Sequence, residues 1–157
     1  MLTTRVATIA DVPVLLDLFR ELAEYEREPN AVGVTQESLA RDGFGVEPKF
    51  RSLIAEVGGQ SAGYAIFYRC YSTWTGPGIF LEDLYVRESF RGQGVGKALM
   101  RQVAQIAQQE GAQCIRLDVL DWNKPAIRFY ESLGGKYLEQ WHNVLIGADA
   151  VDRMARS

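Results

Sequence analysis

The sequence changes its apolar period between residues 79 and 110, and this change constrains the fold more than any other feature. The run IFLEDLYV (79–86) is typical of a largely buried strand. From Gly94 onward the apolar residues recur every three or four positions, which predicts an amphipathic helix that ends near Gly111. The chain therefore passes from a strand through a glycine-rich turn into a helix.

Strands and helices are also predicted on both sides of this segment. The further strands are 2–8, 50–57, 61–71, 114–120 and a closing hairpin over 136–147. The further helices run from Asp11 to about Arg27, from Thr35 to about Gly43, from Pro125 to about Leu133 and, weakly, over 148–156. This order predicts an α/β (mixed α+β) fold, because antiparallel strands come first and a strand–helix–strand–helix unit follows. A central, mostly antiparallel mixed sheet of about seven strands would pack between helices in a single domain over residues 1–157.

The composition is that of an ordinary globular protein. Of the 157 residues, 47% are apolar and 24% are charged, which excludes disorder as the main state. The net charge of −3 argues against non-specific nucleic-acid binding and leans towards a cationic partner. No apolar run approaches the roughly 20 residues that span a bilayer, and the N-terminus lacks a signal-peptide pattern. Cys70 and Cys114 have no CxxC partner, so we expect reduced core thiols, a cytoplasmic protein and no metal site.

The glycine-rich turn predicts an anion-binding site. Gly92, Gly94 and Gly96 allow backbone N–H groups to converge at the open N-terminus of the following helix, which suits a phosphate or pyrophosphate. The segment is neither a dinucleotide fingerprint nor a P-loop, because the G-x-G-x-x-G spacing is not met and Lys97 is followed by Ala98. The alternative is a glycine-rich turn without a ligand.

Two segments together resemble the GNAT N-acetyltransferases. R-G-Q-G-V-G is similar to the acetyl-CoA pyrophosphate loop of that family, whose pattern Arg/Gln-x-x-Gly-x-Gly/Ala is met by Arg91, Gly94 and Gly96. DWNKPAIRFYESLGG matches the family's asparagine followed by a helix with an aromatic pair. Further segments, among them RELAEYE (20–26) and VLDWN (119–123), resemble the diamine acetyltransferase branch over nearly the whole chain. The resemblance implies the GNAT fold, acetyl-CoA as co-substrate and an amine as acceptor.

The resemblance also implies where the cofactor binds. The pyrophosphate would meet the backbone of the loop, and the pantetheine arm would meet the preceding strand where its edge splays. Asn123 would hydrogen-bond the pantetheine, and capping of the following helix is an equally weighted alternative. The implied cofactor-binding residues are Leu84, Tyr85, Val86, Arg91, Gly92, Gln93, Gly94, Val95, Gly96, Lys97, Asn123, Pro125, Ala126 and Tyr130.

Tyr130 is the candidate general acid. A phenol, with an ordinary pKa of about 10, can donate a proton to a thiolate at neutral pH. By resemblance, Tyr130 lies beside the cofactor sulfur; the alternative is packing with Phe129 and Leu133 on a buried helix face. No cysteine has a plausible base, since His142 is the only histidine. We therefore predict direct transfer without an acetyl-enzyme.

Two acidic residues interrupt the apolar strand 79–86. Neighbours on a regular strand face opposite sides, so at least one of Glu82 and Asp83 is expected to point inward. A buried carboxylate is costly unless it is paired, which favours a functional role over a solvated strand end. By resemblance Glu82 contacts the acceptor amine and accepts its proton through water. The residues implied at the acceptor site are Tyr25, Glu26 (or a solvated helix face), Ser72, Trp74, Glu82, Asp83, Glu139 and Trp141.

The expected acceptor is a small lysine-like amine such as thialysine. In polyamine-acetylating members of the branch an aspartate stands two residues before the tryptophan of the CYSTWTG loop, where this chain has Ser72. The alternatives are a polyamine, a protein N-terminus or lysine side chain, and a binding module that has lost catalysis. Glu82 and Tyr130 together argue against the last. The branch forms homodimers through C-terminal strands, so the resemblance also implies a homodimer.

Overall fold

The structure is a computed structural model that describes all 157 residues, in two compact units, Met1–Leu120 and Asp121–Ser157. The strands of the first unit are β1 (Leu2–Val6), β2 (Arg51–Val57), β3 (Gln60–Ser72), β4 (Gly76–Val86) and β5 (Ile115–Arg116). Its helices are α1 (Val12–Tyr25), α2 (Gln36–Phe44) and α3 (Val95–Gln109), with short 3₁₀ turns at Ile9–Asp11 and Glu88–Phe90. The second unit contains α4 (Lys124–Ser132) and α5 (Ala148–Arg156). None of these helices combines the length and the apolar composition needed to cross a membrane.

The five strands form one mixed sheet in the order β1-β2-β3-β4-β5. The first four are antiparallel neighbours, whereas β5 joins the edge of β4 in parallel. Gly58 and Gly59, with φ of 57° and 79°, supply the left-handed backbone that the tight turn between β2 and β3 requires. The predicted mixed, mostly antiparallel sheet is confirmed.

Helices cover this sheet through buried apolar side chains. The core between the sheet and the helices α1 and α2 includes Leu15, Leu18, Leu39, Ile54, Tyr64 and Ile66. Helix α3 packs against β1 to β4, and its Leu99 and Val103 are fully buried. Burial of one such side chain stabilises the fold by about 1.5–3 kcal/mol relative to exposure. Packing of the apolar stripes, rather than intrinsic helix propensity, therefore holds these helices in place.

The sheet has five strands instead of the predicted seven, because the segment 136–147 forms no strand. The predicted closing hairpin is wrong for the isolated chain. Its apolar side chains are exposed: Leu138, Trp141, Val144, Leu145 and Ile146. A two-stranded hairpin is stable only when its apolar side chains pack against another surface, and these side chains remain exposed in the single chain.

Three other predicted elements end early. The strand predicted over 114–120 is only Ile115–Arg116 long, since β4 carries a bulge just beyond this pairing and bulges disrupt the ladder and bend the strand. The first strand ends at Val6, before the turn that leads into α1. Helix α1 ends at Tyr25, and Arg27 with φ of 64° has a left-handed backbone that cannot continue it.

The two cysteines flank Gly78 and are half-buried, not fully buried in the core as predicted. A Cβ added at Gly78 would lie 3.2 Å from Cys70 Sγ and 3.1 Å from Cys114 Sγ. The missing side chain of Gly78 therefore leaves the room that both sulfur atoms need. Both thiols are free, and burial raises the pKa of the Cys70 thiol.

An ion pair closes the turn between β1 and α1. The guanidinium of Arg5 donates to both carboxylate oxygens of Asp11, at 2.8 and 2.9 Å, and the backbone N–H of Thr8 donates to the same carboxylate at 2.7 Å. The hydrogen bond from Arg5, opposed in part by burial, lowers the pKa of Asp11 to about 2. Because Asp11 is buried, neutralising it weakens bonds that water cannot easily replace.

We expect this carboxylate to make the free energy of unfolding fall by about 1–2 kcal/mol between about pH 4 and about pH 2. The pKa is lower in the folded chain, so the stabilisation is present above the unfolded value of about 4 and is lost as the pH falls through about 2. Urea titrations across this range measure the loss. Asp11→Asn is the control, since it removes the titrating group; a variant profile with the same slope as the unmodified protein would contradict the assignment.

Candidate active site

The glycine-rich turn enters α3 through a left-handed backbone. Gly92 and Gly94 have φ of 76° and 81°, and Gly94 is the N-cap of α3. The first helical hydrogen bond runs from the N–H of Ala98 to Gly94 O at 2.9 Å, so the N–H groups of residues 95–97 have no acceptor within the helix. A Cβ at Gly92 or Gly94 would meet no protein atom within 4 Å. The turn thus presents helix donors and the positive helix end on an open side, as an anion site requires.

The remaining predicted loop residues surround this backbone site. Val95 is buried, so only its backbone can contact a ligand, and Gly96 is half-buried in the first helical turn. Lys97 is exposed, and Gln93 donates from Nε2 to Ser89 O at 3.1 Å. Residues 92–97 therefore offer mainly backbone donors, and Lys97 is the one side-chain cation among them.

Arg91 connects the glycine-rich turn to the end of α1. Its Nε donates to Val86 O at 3.0 Å. Its guanidinium carbon lies 4.9 Å from the ring centre of Tyr25 and 5.9 Å from that of Tyr85, within cation–π range. The predicted cofactor loop and the predicted acceptor residue Tyr25 are thereby brought into direct contact.

Beyond its first half, β4 has a strand partner on one side only. Leu84, Tyr85 and Val86 pair with β3, whereas the pairing with β5 ends at Phe80 and Arg116. The edge of residues 84–86 that faces away from β3 is therefore free of strand pairing. This is the kind of splayed strand edge at which we expect a pantetheine arm.

A bulge interrupts β4 at Glu82. Ile66 of β3 pairs with Asp83, and the next residue, Phe67, pairs with Leu81, so Glu82 is the extra residue. A bulge breaks the period-two alternation of side chains at this point. The expectation that Glu82 and Asp83 face opposite sides of the sheet therefore does not hold.

Two tyrosines of β3 bind these two carboxylates. The hydroxyl of Tyr68 donates to Glu82 Oε2 at 3.0 Å, and the hydroxyl of Tyr64 donates to Asp83 Oδ2 at 2.8 Å. Tyr64 and Tyr68 are four residues apart on one strand and so share a face. The bulge thus presents both carboxylates on the sheet face that carries these tyrosines.

The electrostatics of this cluster favour a bound cation. Burial raises the pKa of Asp83 to about 6, and the neighbouring charges of Glu82 and Glu26 act in the same direction, against the hydrogen bond from Tyr64. Burial also raises the pKa of Glu26. The pKa of Tyr64 lies well above its usual range, first because the phenol is buried, so Tyr64 remains a neutral donor. An ammonium group placed here would relieve the repulsion among the carboxylates.

Ser72 is the last residue of β3, and Trp74 lies in the turn that follows. Ser72 is four residues beyond Tyr68, a distance of about 13 Å along the strand. Its Oγ accepts from the backbone N–H groups of Trp74 and Thr75, at 3.1 and 3.4 Å, and Trp74 is exposed. The structure therefore does not bring Ser72 and Trp74 next to the carboxylates.

The other predicted site residues belong to the second unit. Asn123 Oδ1 accepts from the N–H of Ala126 at 3.3 Å and caps α4, so the helix-capping role is observed, and Pro125 lies in the first turn. Tyr130 is half-buried, with its ring edge-to-face with Phe129 at 5.3 Å.

Glu139 and Trp141 lie in the irregular segment 136–147, and both are exposed. The N–H of Trp141 donates to Leu138 O at 3.0 Å, which forms a local turn. No strand carries these two residues, in contrast to the predicted hairpin.

Three polar groups of the first unit are not among the site residues predicted from the sequence. Tyr64 and Tyr68 bind the carboxylates. Burial raises the pKa of Tyr68, and Glu82 and, to a smaller extent, Asp118 act in the same direction. The signals were present: the two tyrosines recur at i and i+4 in YAIFY, and Asp118 interrupts the apolar run CIRLDVL as Glu82 interrupts β4. Which tyrosine meets which carboxylate depends on the register between β3 and β4.

Comparison with known proteins gives one family and several full-length relatives. The model of the Acetyltransferase (GNAT) family matches residues 14–135. Thialysine N-epsilon-acetyltransferase of Sus scrofa is 41% identical over 162 residues, which cover 96% of this chain and 95% of that protein. The protein of the same name from Mus musculus is 38% identical, with 99% of each chain covered. Spermidine/spermine N(1)-acetyltransferase-like protein 1 of Homo sapiens is 38% identical over 88% of this chain and 21% of its own length.

Solved structures share the same fold at lower identity. An integron cassette protein from the mobile metagenome of V. cholerae matches with a TM-score of 0.81 and 21% identity, over 99% of this chain and 98% of its own. An aminoglycoside acetyltransferase from an uncultured soil metagenomic sample matches with a TM-score of 0.77 and 20% identity, over 93% and 95%. These similarities support the fold alone.

Proposed function

The chain belongs to the GNAT acetyltransferase family and is an N-acetyltransferase, and we propose that its acceptor is the primary amine of a small cationic, lysine-like molecule such as thialysine. The observation that carries this proposal is the cluster of Glu26, Glu82 and Asp83. None of the three forms a salt bridge with a cationic side chain of the protein. The ammonium group of the acceptor would supply the missing positive charge.

Acetyl-CoA is the proposed acetyl donor. Its pyrophosphate would accept from the N–H groups of residues 95–97, with Arg91, Gln93 and Lys97 at the edge of that site. Its pantetheine would follow the unpaired edge of 84–86. Asn123, Pro125, Ala126 and Tyr130 are assigned to the cofactor by family resemblance.

Replacing Gly94 by valine is expected to weaken acetyl-CoA binding at least about tenfold, or about 1.4 kcal/mol. Valine disfavours the left-handed backbone of Gly94, and its branched side chain would fill the space through which the pyrophosphate approaches. Calorimetric titration with acetyl-CoA measures the loss.

Gly59→Val is the matched control for this variant. Gly59 has almost the same backbone angle, φ of 79° against 81°, and equally open surroundings, but it lies in the turn between β2 and β3. We expect equal strain and unchanged acetyl-CoA affinity. Equal acetyl-CoA affinity of the two variants would show that the glycine-rich turn does not bind acetyl-CoA.

The proposed reaction is direct acetyl transfer within a ternary complex. The amine nitrogen forms a bond to the acetyl carbon as the carbon–sulfur bond breaks. Glu82 takes the first proton of the ammonium group through water, and Tyr130 gives its proton to the departing thiolate. The nitrogen loses its second proton as the amide forms, and this proton restores the phenol of Tyr130 by way of solvent. A backbone N–H of residues 84–86 would polarise the thioester carbonyl.

The function is tested by measuring CoA release from acetyl-CoA with a panel of acceptors. The panel contains thialysine, lysine, spermidine, spermine and a peptide with a free N-terminus and a lysine. The highest kcat/KM is expected with thialysine. A higher kcat/KM for a polyamine or for the peptide would contradict the proposed lysine-like acceptor and identify the other class of acceptor instead. Acetyl-CoA binding without transfer to any amine would identify a catalytically inactive module.

We also propose a homodimer of single-domain subunits in the cytoplasm. The exposed apolar run of 136–147, where Val144 is 78% and Leu145 92% exposed, supports the dimer, because such a run is normally covered by a partner. The two free cysteines support a reducing compartment. Sedimentation of the full chain should give a dimer; a monomer at micromolar concentration would count against it.

A further inference from the structure

Tyr68 is held so that its hydroxyl has a fixed position. Its half-buried ring stacks on Phe80, with ring centres 5.4 Å apart and planes inclined by 21°. The hydroxyl donates to Glu82 Oε2 at 3.0 Å. Phe80 and Glu82 lie two residues apart on β4, so the Tyr68 side chain contacts both, Phe80 through its ring and Glu82 through its hydroxyl.

Glu82, in contrast, has little else to hold it. It is the extra residue of the bulge and its side chain is exposed, so several rotamers would be open to it. The bond from Tyr68 engages Oε2 and leaves Oε1 without a hydrogen-bond partner in the protein. A carboxylate restrained at one oxygen can direct the other at an incoming donor.

We propose that Tyr68 is a positioning residue for acetyl transfer: it orients Glu82 so that the free carboxylate oxygen receives the proton of the acceptor amine. This inference rests on the proposed function, in which Glu82 takes that proton. In this role Tyr68 would act through Glu82 and not by contact with the acceptor amine or acetyl-CoA.

The surroundings of Tyr68 suit a permanent donor. Burial raises the pKa of Tyr68 to about 12, and the hydrogen bond to Glu82 contributes in the same direction. The hydroxyl therefore stays protonated at neutral pH and remains a hydrogen-bond donor to Glu82. The other titratable or charged groups that face this pair or its neighbours are Cys70, Asp83, Asp118, Arg116 and Glu26.

Tyr68→Phe tests the inference because it keeps the stacked ring and removes only the hydroxyl. We expect kcat/KM for the amine to fall about tenfold, with the acetyl-CoA dissociation constant unchanged. The loss should appear in kcat, with KM for the amine nearly unchanged, because the bond positions Glu82 for proton transfer and does not itself bind the amine. A purely structural role for Tyr68 would not confine the loss to kcat.

Tyr71→Phe is the matched control on the same strand. Tyr71 is three residues further on, 73% exposed and on the opposite face, so its variant should retain the original kcat and KM. An unchanged kcat in Tyr68→Phe, or an equal loss in both variants, would overturn the inference.

A double-mutant cycle separates this inference from the function on which it rests. If Tyr68 acts through Glu82, Tyr68→Phe should add nothing to the loss already caused by Glu82→Gln. Independent, additive losses would show that Tyr68 acts elsewhere. Full transfer by Glu82→Gln would refute the role proposed for Glu82 itself, whereas an impaired Glu82→Gln beside an unimpaired Tyr68→Phe would refute only the positioning role.

Discussion

Replacing Tyr130 by phenylalanine is expected to lower kcat about 100-fold, at the lower end of what a general acid contributes. The variant lacks only the proton that the departing thiolate would receive. The edge-to-face contact with Phe129 is made by the ring and should persist, so acetyl-CoA affinity should remain nearly intact. Steady-state kinetics give kcat, and calorimetry gives the acetyl-CoA dissociation constant.

Tyr137→Phe is the control for Tyr130→Phe. The Tyr137 hydroxyl donates to Ile127 O at 3.1 Å in the same unit, so its loss also removes one hydrogen bond. This control should keep its kcat. A kcat for Tyr130→Phe within twofold of the unmodified enzyme would exclude the acid role. Ping-pong kinetics, or an acetylated Cys70 or Cys114 in mass spectra, would exclude direct transfer.

The second large effect is expected in acceptor selectivity. The unmodified protein should prefer thialysine to spermidine, and Ser72→Asp should shift the ratio of their kcat/KM values towards spermidine by about tenfold to a hundredfold. A charge-assisted hydrogen bond contributes roughly 1.5–3 kcal/mol, which corresponds to that range. Ser72 is about 13 Å along β3 from Tyr68, so a carboxylate there would serve a second, distant ammonium group of a polyamine. The far end of a lysine analogue would gain less, because its α-ammonium is already neutralised by the adjacent α-carboxylate.

Ser72→Asn isolates the charge in this experiment. Ser72 Oγ accepts from two backbone N–H groups at the turn into β4, and the side-chain oxygen of aspartate or asparagine can do the same. Only the aspartate adds a carboxylate, so only Ser72→Asp should move the ratio. Preference of the unmodified protein for spermidine would reverse the acceptor assignment, and equal shifts in both variants would attribute the effect to the turn.

The features that could be predicted from sequence are those that depend on local pattern. Leu99 and Val103 recur at helical spacing, and they are buried where α3 meets the sheet. Gly92 and Gly94 stand where the chain adopts a left-handed backbone before a helix, a conformation that few other residues tolerate. The register in which two strands pair, in contrast, depends on residues that are distant in sequence.

The bulge at Glu82 is the clearest example of a feature that could not be predicted from the sequence. Nothing within IFLEDLYV marks which residue is extra, because that depends on how β3 and β4 align as they pack on the helices. The hairpin predicted over 136–147 failed for a related reason. Alternation indicates that an apolar face exists, but not whether the same chain provides the surface that buries it.

The row formed by Cys70, Gly78 and Cys114 bears on how the enzyme behaves under oxidative stress. Cys70 lies in β3 and Cys114 directly precedes β5, on opposite sides of Gly78 in β4. Their Cα atoms are therefore about 9.5 Å apart, twice the spacing of paired strands. A disulfide bridges Cα atoms no more than about 7 Å apart. The sheet therefore acts as a spacer that keeps two adjacent thiols from joining, and an internal disulfide would require β5 to detach from β4.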